Sequence, residues 1–204
     1  MTFTYIGTSG NDYYFDNESD SLLAYGLAGN DSLYGVNNAT LIGGAGNDSL
    51  SGDGDVILRG GAGNDILSGG GKTVGDRTLI GGVGDDTLSG SSDNDYLVGG
   101  MGNDILWSNT GGSDTIKGGP GADTFQLSSY PFFNEYATIT DFRRAQGDKI
   151  QVSGSASNYY LDKSQNLSGQ LALDTAIYYS NILIAVLQDT TIASLSSDFI
   201  FGWT

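Results

Sequence analysis

A glycine-rich segment of nine residues recurs along this chain, and its spacing restricts the folds that the chain can adopt. Clean copies read Gly-Gly-Ala-Gly-Asn-Asp-Ser-Leu-Ser at residues 43–51 and Gly-Gly-Ala-Gly-Asn-Asp-Ile-Leu-Ser at residues 60–68. Seven copies carry an aspartate at the sixth position, at intervals of 17 to 21 residues, which is two repeats rather than one. A doubled period places all seven carboxylates on one edge of a coil. These residues are Asp12, Asp31, Asp48, Asp65, Asp86, Asp104 and Asp123.

Each repeat predicts a tight turn followed by a very short strand. Glycine at the first, second and fourth positions lets the backbone take positive φ, and Asn or Asp at the fifth position tolerates left-handed geometry. Side chains at positions seven to nine alternate in direction, so the middle one points inwards. Two repeats complete one turn, which makes the strands alternate between two parallel sheets. The expected fold is therefore all-β, a parallel β-roll or two-sheet β-solenoid.

Thirteen units fill residues 7–126, and their inward side chains are expected to form a thin core. The seven odd-numbered units carry the aspartates, whereas the even-numbered units between them are irregular, and the stretch 16–25 aligns through Asp20 only with an insertion. The odd sheet is expected to bury Tyr14, Leu33, Leu50, Leu67, Leu88, Leu106 and Phe125. The even sheet is expected to bury Leu41, Leu58, Leu79, Leu97 and Ile116.

The charge of the chain points to divalent cations as its partners. It has 24 acidic and 8 basic residues, a net charge of −16, which opposes compaction unless something neutralises it. The same charge argues against nucleic acid and anionic membranes as partners. No apolar run reaches the length of a membrane-spanning helix, about 18 residues. The chain lacks cysteine and histidine, which excludes disulfides, thiolate sites and the commonest general base.

Calcium is the cation that the aspartate edge predicts. It takes six to eight oxygen ligands, and each turn offers one aspartate carboxylate together with carbonyl oxygens of the glycine turn. Seven stacked turns enclose six gaps, so about six calcium ions are expected on this odd edge. The turn glycines expected to contribute are Gly26, Gly43, Gly44, Gly46, Gly60, Gly61, Gly63, Gly81, Gly82, Gly84, Gly99, Gly100, Gly102, Gly118 and Gly119.

The opposite edge, formed by the even-numbered units, is degraded. Asp95 and Asp114 keep the sixth-position carboxylate and are expected to bind one or two further ions. Ala39, Val56 and Arg77 stand at that position in the three middle units, so no ion is expected there. The Arg77 guanidinium could serve as a covalently attached cation. The alternative for any of these turns is a metal-free Asn-Asp turn, which is favoured for the even units between residues 35 and 80.

The pattern Gly-Gly-x-Gly-x-Asp-x-apolar-x resembles the repeats-in-toxin (RTX, hemolysin-type) family of calcium-binding β-rolls. The stretch 137–150 is also similar to the segment that follows the last repeat in that family, where it forms a capping strand. By this resemblance, Asp141 and Asp148 could bind or brace a terminal ion; the alternative is a pair of surface carboxylates in a turn.

The resemblance also implies export. RTX proteins usually leave Gram-negative bacteria by type I secretion, which reads an uncleaved C-terminal signal. Residues 197–204, Ser-Asp-Phe-Ile-Phe-Gly-Trp-Thr, resemble such a signal, and the N-terminus has neither the basic start nor the apolar region of a cleavable signal peptide. We therefore expect a secreted, extracellular bacterial protein that is disordered in calcium-poor cytosol and folds when it meets calcium outside.

The expected division is a calcium-binding roll over residues 1–126 and a β-rich cap over residues 127–204. Strands are expected at 137–142 and 149–152, with a hairpin of 176–179 and 182–187 around Ser180-Asn181. At the other end, Phe3 and Tyr5 could form a smaller cap. Tyrosines cluster near both ends, where they either pack in the caps or offer platforms for sugars.

Two other functions compete with a purely structural calcium module. The chain is not expected to be an enzyme, since the repeats begin at residue 7 and the tail lacks histidine, a nucleophile elbow and a zinc signature. Two alternatives stay open: a pair of the scattered carboxylates could act on glycosides, or the chain could be an accessory module of a larger enzyme. An extracellular carbohydrate- or partner-binding module is the second possibility, on the outer face of the even sheet. We expect the tail to pack over that apolar face, which comprises Thr40, Ile42, Ile57, Ile80, Tyr96 and Val98.

Overall fold

The computed structural model describes residues 3–17, 21–70, 75–109, 111–128, 135–167, 173–188, 190 and 195–203. Within these ranges the chain winds between two sheets, which confirms the expected β-roll. Strands are numbered along the chain. The odd sheet contains, in spatial order, β2 (Tyr13–Phe15), β4 (Ser32–Val36), β6 (Ser49–Asp53), β8 (Ile66–Ser68), β10 (Thr87–Ser89), β12 (Ile105–Trp107), β14 (Thr124–Leu127), β16 (Lys149–Ser153) and β20 (Phe199–Trp203).

The even sheet lies opposite and begins with the strands of the even-numbered units. Neighbouring strands of the roll are parallel, because each turn repeats the direction of the turn before it. In spatial order the sheet contains β1 (Phe3–Ile6), β3 (Leu22–Ala28), β5 (Thr40–Ala45), β7 (Ile57–Ala62), β9 (Thr78–Val83), β11 (Tyr96–Met101), β13 (Thr115–Lys117), β15 (Ala137–Ile139), β19 (Ile182–Leu187), β18 (Thr175–Tyr179) and β17 (Tyr159–Asp162).

The core consists of two stacked columns of apolar side chains, as the repeat predicts. In the odd sheet Leu50 pairs in register with Leu33 and Leu67, and all three are almost fully buried. The predicted even column, Leu41 to Ile116, is buried as well. Tyr14 is only half-buried, because it lies at the end of the roll and stacks on Tyr5 at 4.1 Å. Asp20 lies outside the described residues.

Both sheets continue beyond residue 127 without nonapeptides. β16 and β20 extend the odd sheet, and β15 and β19 extend the even sheet, all in parallel. The predicted hairpin is confirmed: β18 and β19 are antiparallel, with Ser180 and Asn181 at φ 48° and 71°. The strand expected over 137–142 ends at Ile139. Phe142 turns into the core instead, 6.1 Å from the ring of Phe125.

The described part of the tail lengthens the even sheet instead of covering it. β15, β19, β18 and β17 pair side by side along the axis of the roll, so the expectation that the tail packs over the outer face is wrong for these residues. On that face Ile57 and Tyr96 remain 37% and 44% exposed. At the N-terminal end Tyr5 packs against the core, whereas Phe3 is exposed.

Helical structure in the described ranges is short. There are 3-10 turns at Arg144–Gln146 and Ala156–Asn158, and a single α-helical turn at Leu195–Asp198. No helix in the described part of the chain has the length and apolar character needed to cross a membrane.

Candidate metal centre

The sixth-position aspartates of the odd-numbered units lie at one edge of the roll, each directly before a strand of the odd sheet. Asp48 precedes β6 and Asp65 precedes β8. The turn before each aspartate needs glycine, because a Cβ on Gly61 would lie 2.1 Å from the carbonyl oxygen of Gly44 in the preceding turn. Gly61 also has φ 123°, in the left-handed region that glycine tolerates. Glycine therefore lets successive turns stack closely enough to align their carboxylates.

One oxygen of each carboxylate links adjacent turns. The main-chain N–H of Asp48 donates to Oδ1 of Asp65 at 2.7 Å, and the N–H of Asp65 donates to Oδ1 of Asp86 at 2.8 Å. Seven such bonds of 2.7–3.0 Å run in an unbroken series from Asp12 to Asp148. These bonds fix the direction of every carboxylate, so the second oxygen, Oδ2, always faces the same side of the turn.

The second carboxylate oxygen has no protein partner in the inner turns. Six Oδ2 atoms of this column are buried without a hydrogen bond from the described residues, on side chains that are at most 2% exposed. At the two ends the protein supplies a donor: the N–H of Thr8 bonds Oδ2 of Asp12, and the N–H of Arg143 bonds Oδ2 of Asp148, both at 2.6 Å. The six unsatisfied oxygens belong to Asp31, Asp48, Asp65, Asp86, Asp104 and Asp123.

A small cradle lies beside each of these oxygens, and only glycine leaves it open. A Cβ on Gly60 would lie 2.2 Å from Oδ2 of Asp65 and 2.7 Å from the carbonyl oxygen of Gly81 in the next turn. A Cβ on Gly81 would likewise lie 2.3 Å from Oδ2 of Asp86 and 2.6 Å from the carbonyl oxygen of Gly99. A carboxylate oxygen and a carbonyl oxygen from adjacent turns thus converge on one point.

Burial makes these carboxylates costly to ionise. It is the largest cause that raises the pKa of Asp48 and Asp104 to about 6 and that of Asp86 and Asp123 to about 7. The neighbouring aspartates of the column add to the rise at Asp48, Asp86 and Asp123, and the ladder hydrogen bonds partly oppose it. A buried row of like charges requires a nearby positive charge.

A second ladder fixes the other side of each turn. The N–H of Asn47 donates to Oδ1 of Asn30 at 2.9 Å, and the N–H of Asn64 donates to Oδ1 of Asn47 at 2.8 Å. These fifth-position bonds point to the preceding turn, whereas the aspartate bonds point to the following turn. The two ladders together hold the glycine turn from both sides.

On the even edge, Arg77 takes the place of an aspartate. Its main-chain N–H donates to Oδ1 of Asp95 at 2.9 Å, so it keeps its place in the ladder. Its side chain is buried, and Nη1 contacts the carboxylate of Asp93 at 3.2 Å and also bonds Ser91 and Gly75. Cγ and Cδ lie 3.1 Å from the point where a Cβ of Gly69 would be. Arginine therefore fills the cradle with its own cationic side chain.

The two remaining even-edge aspartates differ from each other. The N–H of Asp95 donates to Oδ1 of Asp114 at 2.9 Å, so the pair is joined as on the odd edge. Oδ2 of Asp95 accepts bonds from the N–H and hydroxyl of Ser91, as Asp12 does from Thr8. Asp114 is buried and receives no such bond from the residues that the structure describes. The structure thus brings Asp95 and Asp114 together, but only Asp114 keeps a carboxylate oxygen available.

Comparison with protein families identifies the repeats whose turns form this edge. The model of the RTX calcium-binding nonapeptide repeat matches four times, at residues 37–56, 51–71, 75–106 and 108–127. These residues form RTX calcium-binding nonapeptide repeats. The RTX repeat is a calcium-binding unit and not an enzyme. A search of curated proteins finds no match for the chain.

Calcium suits the odd edge of the RTX roll. The donors there are carboxylate and carbonyl oxygens, which are the ligands that calcium prefers. No point among the described residues is surrounded by three or more acidic side chains, so main-chain carbonyls would have to supply most of the ligands. The six unsatisfied Oδ2 atoms and their glycine cradles fit that demand.

The column extends beyond the seven predicted aspartates, to one of the two residues that the family resemblance offered as a terminal ligand or brace. Asp148 continues the aspartate ladder as an eighth member, although it stands outside any nonapeptide. The order Asp148-Lys149-Ile150 repeats the Asp-x-apolar order of the motif, and this signal could have identified it. Asp141 braces the last turn, since its two carboxylate oxygens accept the N–H groups of Gly118 and Gly119 at 2.9 and 3.0 Å.

Proposed function

We propose that calcium binding to the odd edge drives folding of the RTX roll, which then serves outside the cell as a calcium-stabilised scaffold without enzymatic activity. The observation that carries this proposal is the row of six buried carboxylate oxygens that have no protein partner. A buried, unsatisfied carboxylate costs several kcal/mol, and six in one row would leave the metal-free roll unstable.

We propose one ion for each unsatisfied oxygen, hence about six on the odd edge. Each ion would be held by the aspartate of one turn, its ladder neighbour, and carbonyl oxygens of the two glycine turns. Calcium supplies the positive charge that the buried row lacks. The aspartates proposed as ligands are Asp31, Asp48, Asp65, Asp86, Asp104 and Asp123, with Asp12 and Asp148 as the ends of the column.

The energetics support coupling between binding and folding. Calcium that binds only the folded turns adds about 1.4 kcal/mol per site when its free concentration is ten times the dissociation constant. Six such sites contribute about 8 kcal/mol, which is comparable to the whole stability of a typical domain. The net charge of −16 and the 33 glycines oppose folding without the metal.

Circular dichroism combined with a calcium count tests this function. In excess chelator the β signal is expected to be lost, and added calcium should restore it with about six or more ions bound per chain. Magnesium should not restore it, because magnesium requires near-ideal octahedral geometry and retains its water molecules. A chain that keeps its full β signal in chelator would exclude calcium-driven folding.

We further propose export by type I secretion, directed by the C-terminal residues. RTX proteins are typically secreted, and the C-terminal sequence resembles an uncleaved export signal. In the folded chain this segment is part of β20, which pairs with β16, and the Asp198 side chain is fully buried beside Arg144. Folding thus holds this segment in the edge strand of the odd sheet, so export before folding, in calcium-poor cytosol, would leave it free for the transporter.

A secretion assay tests the export proposal. In cells that carry a type I transporter, the complete chain is expected in the medium, whereas a chain lacking residues 195–204 is expected to stay inside. A chain lacking residues 1–6 is the control and should still be exported. Equal export of all three chains would contradict the proposal.

A carbohydrate- or partner-binding role is a second candidate, favoured by one observation. The outer face of the even sheet is open in the described structure, with Ile57 and Tyr96 exposed. A glycan array with the calcium-loaded protein tests this role, using Tyr96→Ser as the variant that should lose any signal. Absence of binding across the array would leave the scaffold as the function.

A further inference from the structure

A small cavity lies on the even edge, where the nonapeptides end. Its volume is about 20 Å³, enough for one water-sized species or ion. Asp114 and Glu135 both line it, together with Ser108 and Asn109, and none of the described residues that line it is lysine or arginine. Among these residues the cavity therefore gathers two carboxylates and several polar groups without a cationic side chain.

Asp114 has a carboxylate oxygen free to face this cavity. The side chain is 3% exposed, and Oδ1 accepts the N–H of Asp95 at 2.9 Å. Oδ2 accepts no bond from the described residues, in contrast to Oδ2 of Asp95, which Ser91 satisfies. The carboxylate of Asp114 is thus almost completely buried, although only one of its two oxygens accepts a hydrogen bond from the described residues.

Glu135 replaces an aspartate that the repeat no longer supplies. Thr115 pairs in register with Thr138, so Ala137 stands opposite Asp114, where a further repeat would place its aspartate. Alanine offers no carboxylate. Two residues earlier, Glu135 reaches back to the same turn, and its Oε2 accepts the N–H of Gly112 at 3.0 Å. The following turn therefore contributes a carboxylate after all, from a position outside the motif.

The other polar groups complete a set of oxygen donors. Asn109 donates its Nδ2 to Oγ of Ser89 at 3.1 Å and to the carbonyl oxygen of Gly90 at 2.8 Å, so the polar atom left in its side chain is Oδ1. Ser108 lines the cavity with a buried hydroxyl-bearing side chain. Oxygen donors with two negative charges suit calcium.

We propose that Asp114 and Glu135 form a calcium site on the even edge, separate from the odd-edge column, in which Glu135 substitutes for the missing aspartate of the next turn. The site binds one ion from the same medium that loads the column. It stabilises the junction between the last repeat and the tail, because its two carboxylates come from opposite sides of that junction. Asp95 takes no direct part in it.

Calcium counting on matched variants tests this site. Glu135→Gln and Asp114→Asn are each expected to bind one calcium ion fewer per folded chain than the natural sequence. Asp162→Asn, which makes the same change of charge at the end of β17, should leave the count unchanged. An unchanged calcium count in Glu135→Gln overturns the proposal. This holds even if the count falls in Asp114→Asn, because Asp114 would then bind calcium with Asp95 and without Glu135.

Anomalous scattering provides a second measurement on the unaltered chain. Crystals containing terbium in place of calcium are expected to show a peak between the carboxylates of Asp114 and Glu135, and a density without such a peak overturns the site. The odd-edge peaks in the same map are independent of this result. Failure of the proposed calcium column would instead remove those peaks.

Discussion

The main-chain N–H of Asp65 donates a hydrogen bond of 2.8 Å to Oδ1 of Asp86, whereas Oδ2 of Asp86 is buried without a protein partner. One carboxylate is thus divided between two tasks. Its first oxygen joins consecutive turns, and its second oxygen is available to the proposed calcium ion. Structural support and the proposed ligand thus come from the same residue, so substitutions can separate the two.

Asp86→Asn should separate the structural role of this carboxylate from its proposed role as a calcium ligand. Asparagine keeps Oδ1 for the ladder but replaces Oδ2 with an amide nitrogen, which cannot bind calcium. With calcium at about ten times its dissociation constant, we expect a loss of about 1.4 kcal/mol for each ion site removed, measured by urea unfolding. In chelator at neutral pH the same variant should be more folded than the natural chain, because a buried charge is gone. Asp162→Asn is the matched control. The deciding result is that Asp86→Asn lowers stability in calcium and raises it in chelator.

Gly60→Ala should close one cradle. The new methyl group would lie 2.2 Å from Oδ2 of Asp65 and 2.7 Å from the carbonyl oxygen of Gly81. We expect at least one ion fewer in equilibrium dialysis. Gly10→Ala is the control, since its methyl group would meet only Oγ1 of Thr8 at 3.8 Å. An unchanged ion count in Gly60→Ala would show that the cradle is not the metal position.

Leu27→Gly should stabilise the roll. Leu27 occupies the second position of its unit, where the clean copies have glycine, and its backbone is left-handed at φ 80°. That conformation costs a side chain about 1–2 kcal/mol, and the leucine is 48% exposed, so little packing is lost. Calcium-loaded protein should unfold at higher urea concentration. Ala28→Gly next to it should lower stability by about 0.5–1 kcal/mol. If both variants were less stable than the natural chain, the backbone of Leu27 would not be strained.

Arg77→Met should destabilise the calcium-loaded roll by about 2–3 kcal/mol, because it leaves Asp93 without its buried cationic partner. The loss should persist at any calcium concentration, since the guanidinium occupies the place of a metal. Arg59→Met, on the exposed outer face of the even sheet, is the control and should change little. If higher calcium restored the stability of Arg77→Met, the arginine would not be acting as a fixed cation.

Acidification should partly substitute for calcium. Burial raises the pKa of Asp86 and Asp123 to about 7, and that of Asp48 and Asp104 to about 6, from a usual value of 3.8. The folded chain therefore binds more protons than the unfolded chain between about pH 4 and pH 7, so the metal-free roll loses stability as the pH rises through that window.

Chelator-treated protein should accordingly gain β structure by circular dichroism as the pH falls from about 7.5 to about 4.5. Calcium affinity should decrease over the same range, because protons compete for the same carboxylates. Identical spectra at the two pH values in chelator would contradict the assigned burial of the column.

Several features of this protein follow from local order in the chain. The nonapeptide combines glycine turns, an aspartate and an inward leucine, and its doubled period is enough to predict two sheets, their core columns and one acidic edge. The hairpin at Ser180-Asn181 follows from local turn chemistry in the same way. The properties of the roll repeat with the sequence, so one pair of units contains the information for them.

Other features depend on contacts between distant residues. Six carboxylate oxygens remain unsatisfied because donors from Thr8 and Arg143 reach only the end members, Asp12 and Asp148. Glu135 meets the turn of Asp114 because the chain crosses to a new turn between them. The described part of the tail continues the sheets instead of covering them, because the exposed edges of the last strands offer unpaired N–H and C=O groups. The repeat alone determined the roll and its aspartate edge, whereas only the stacking of turns decided which carboxylate oxygens are left without a protein partner.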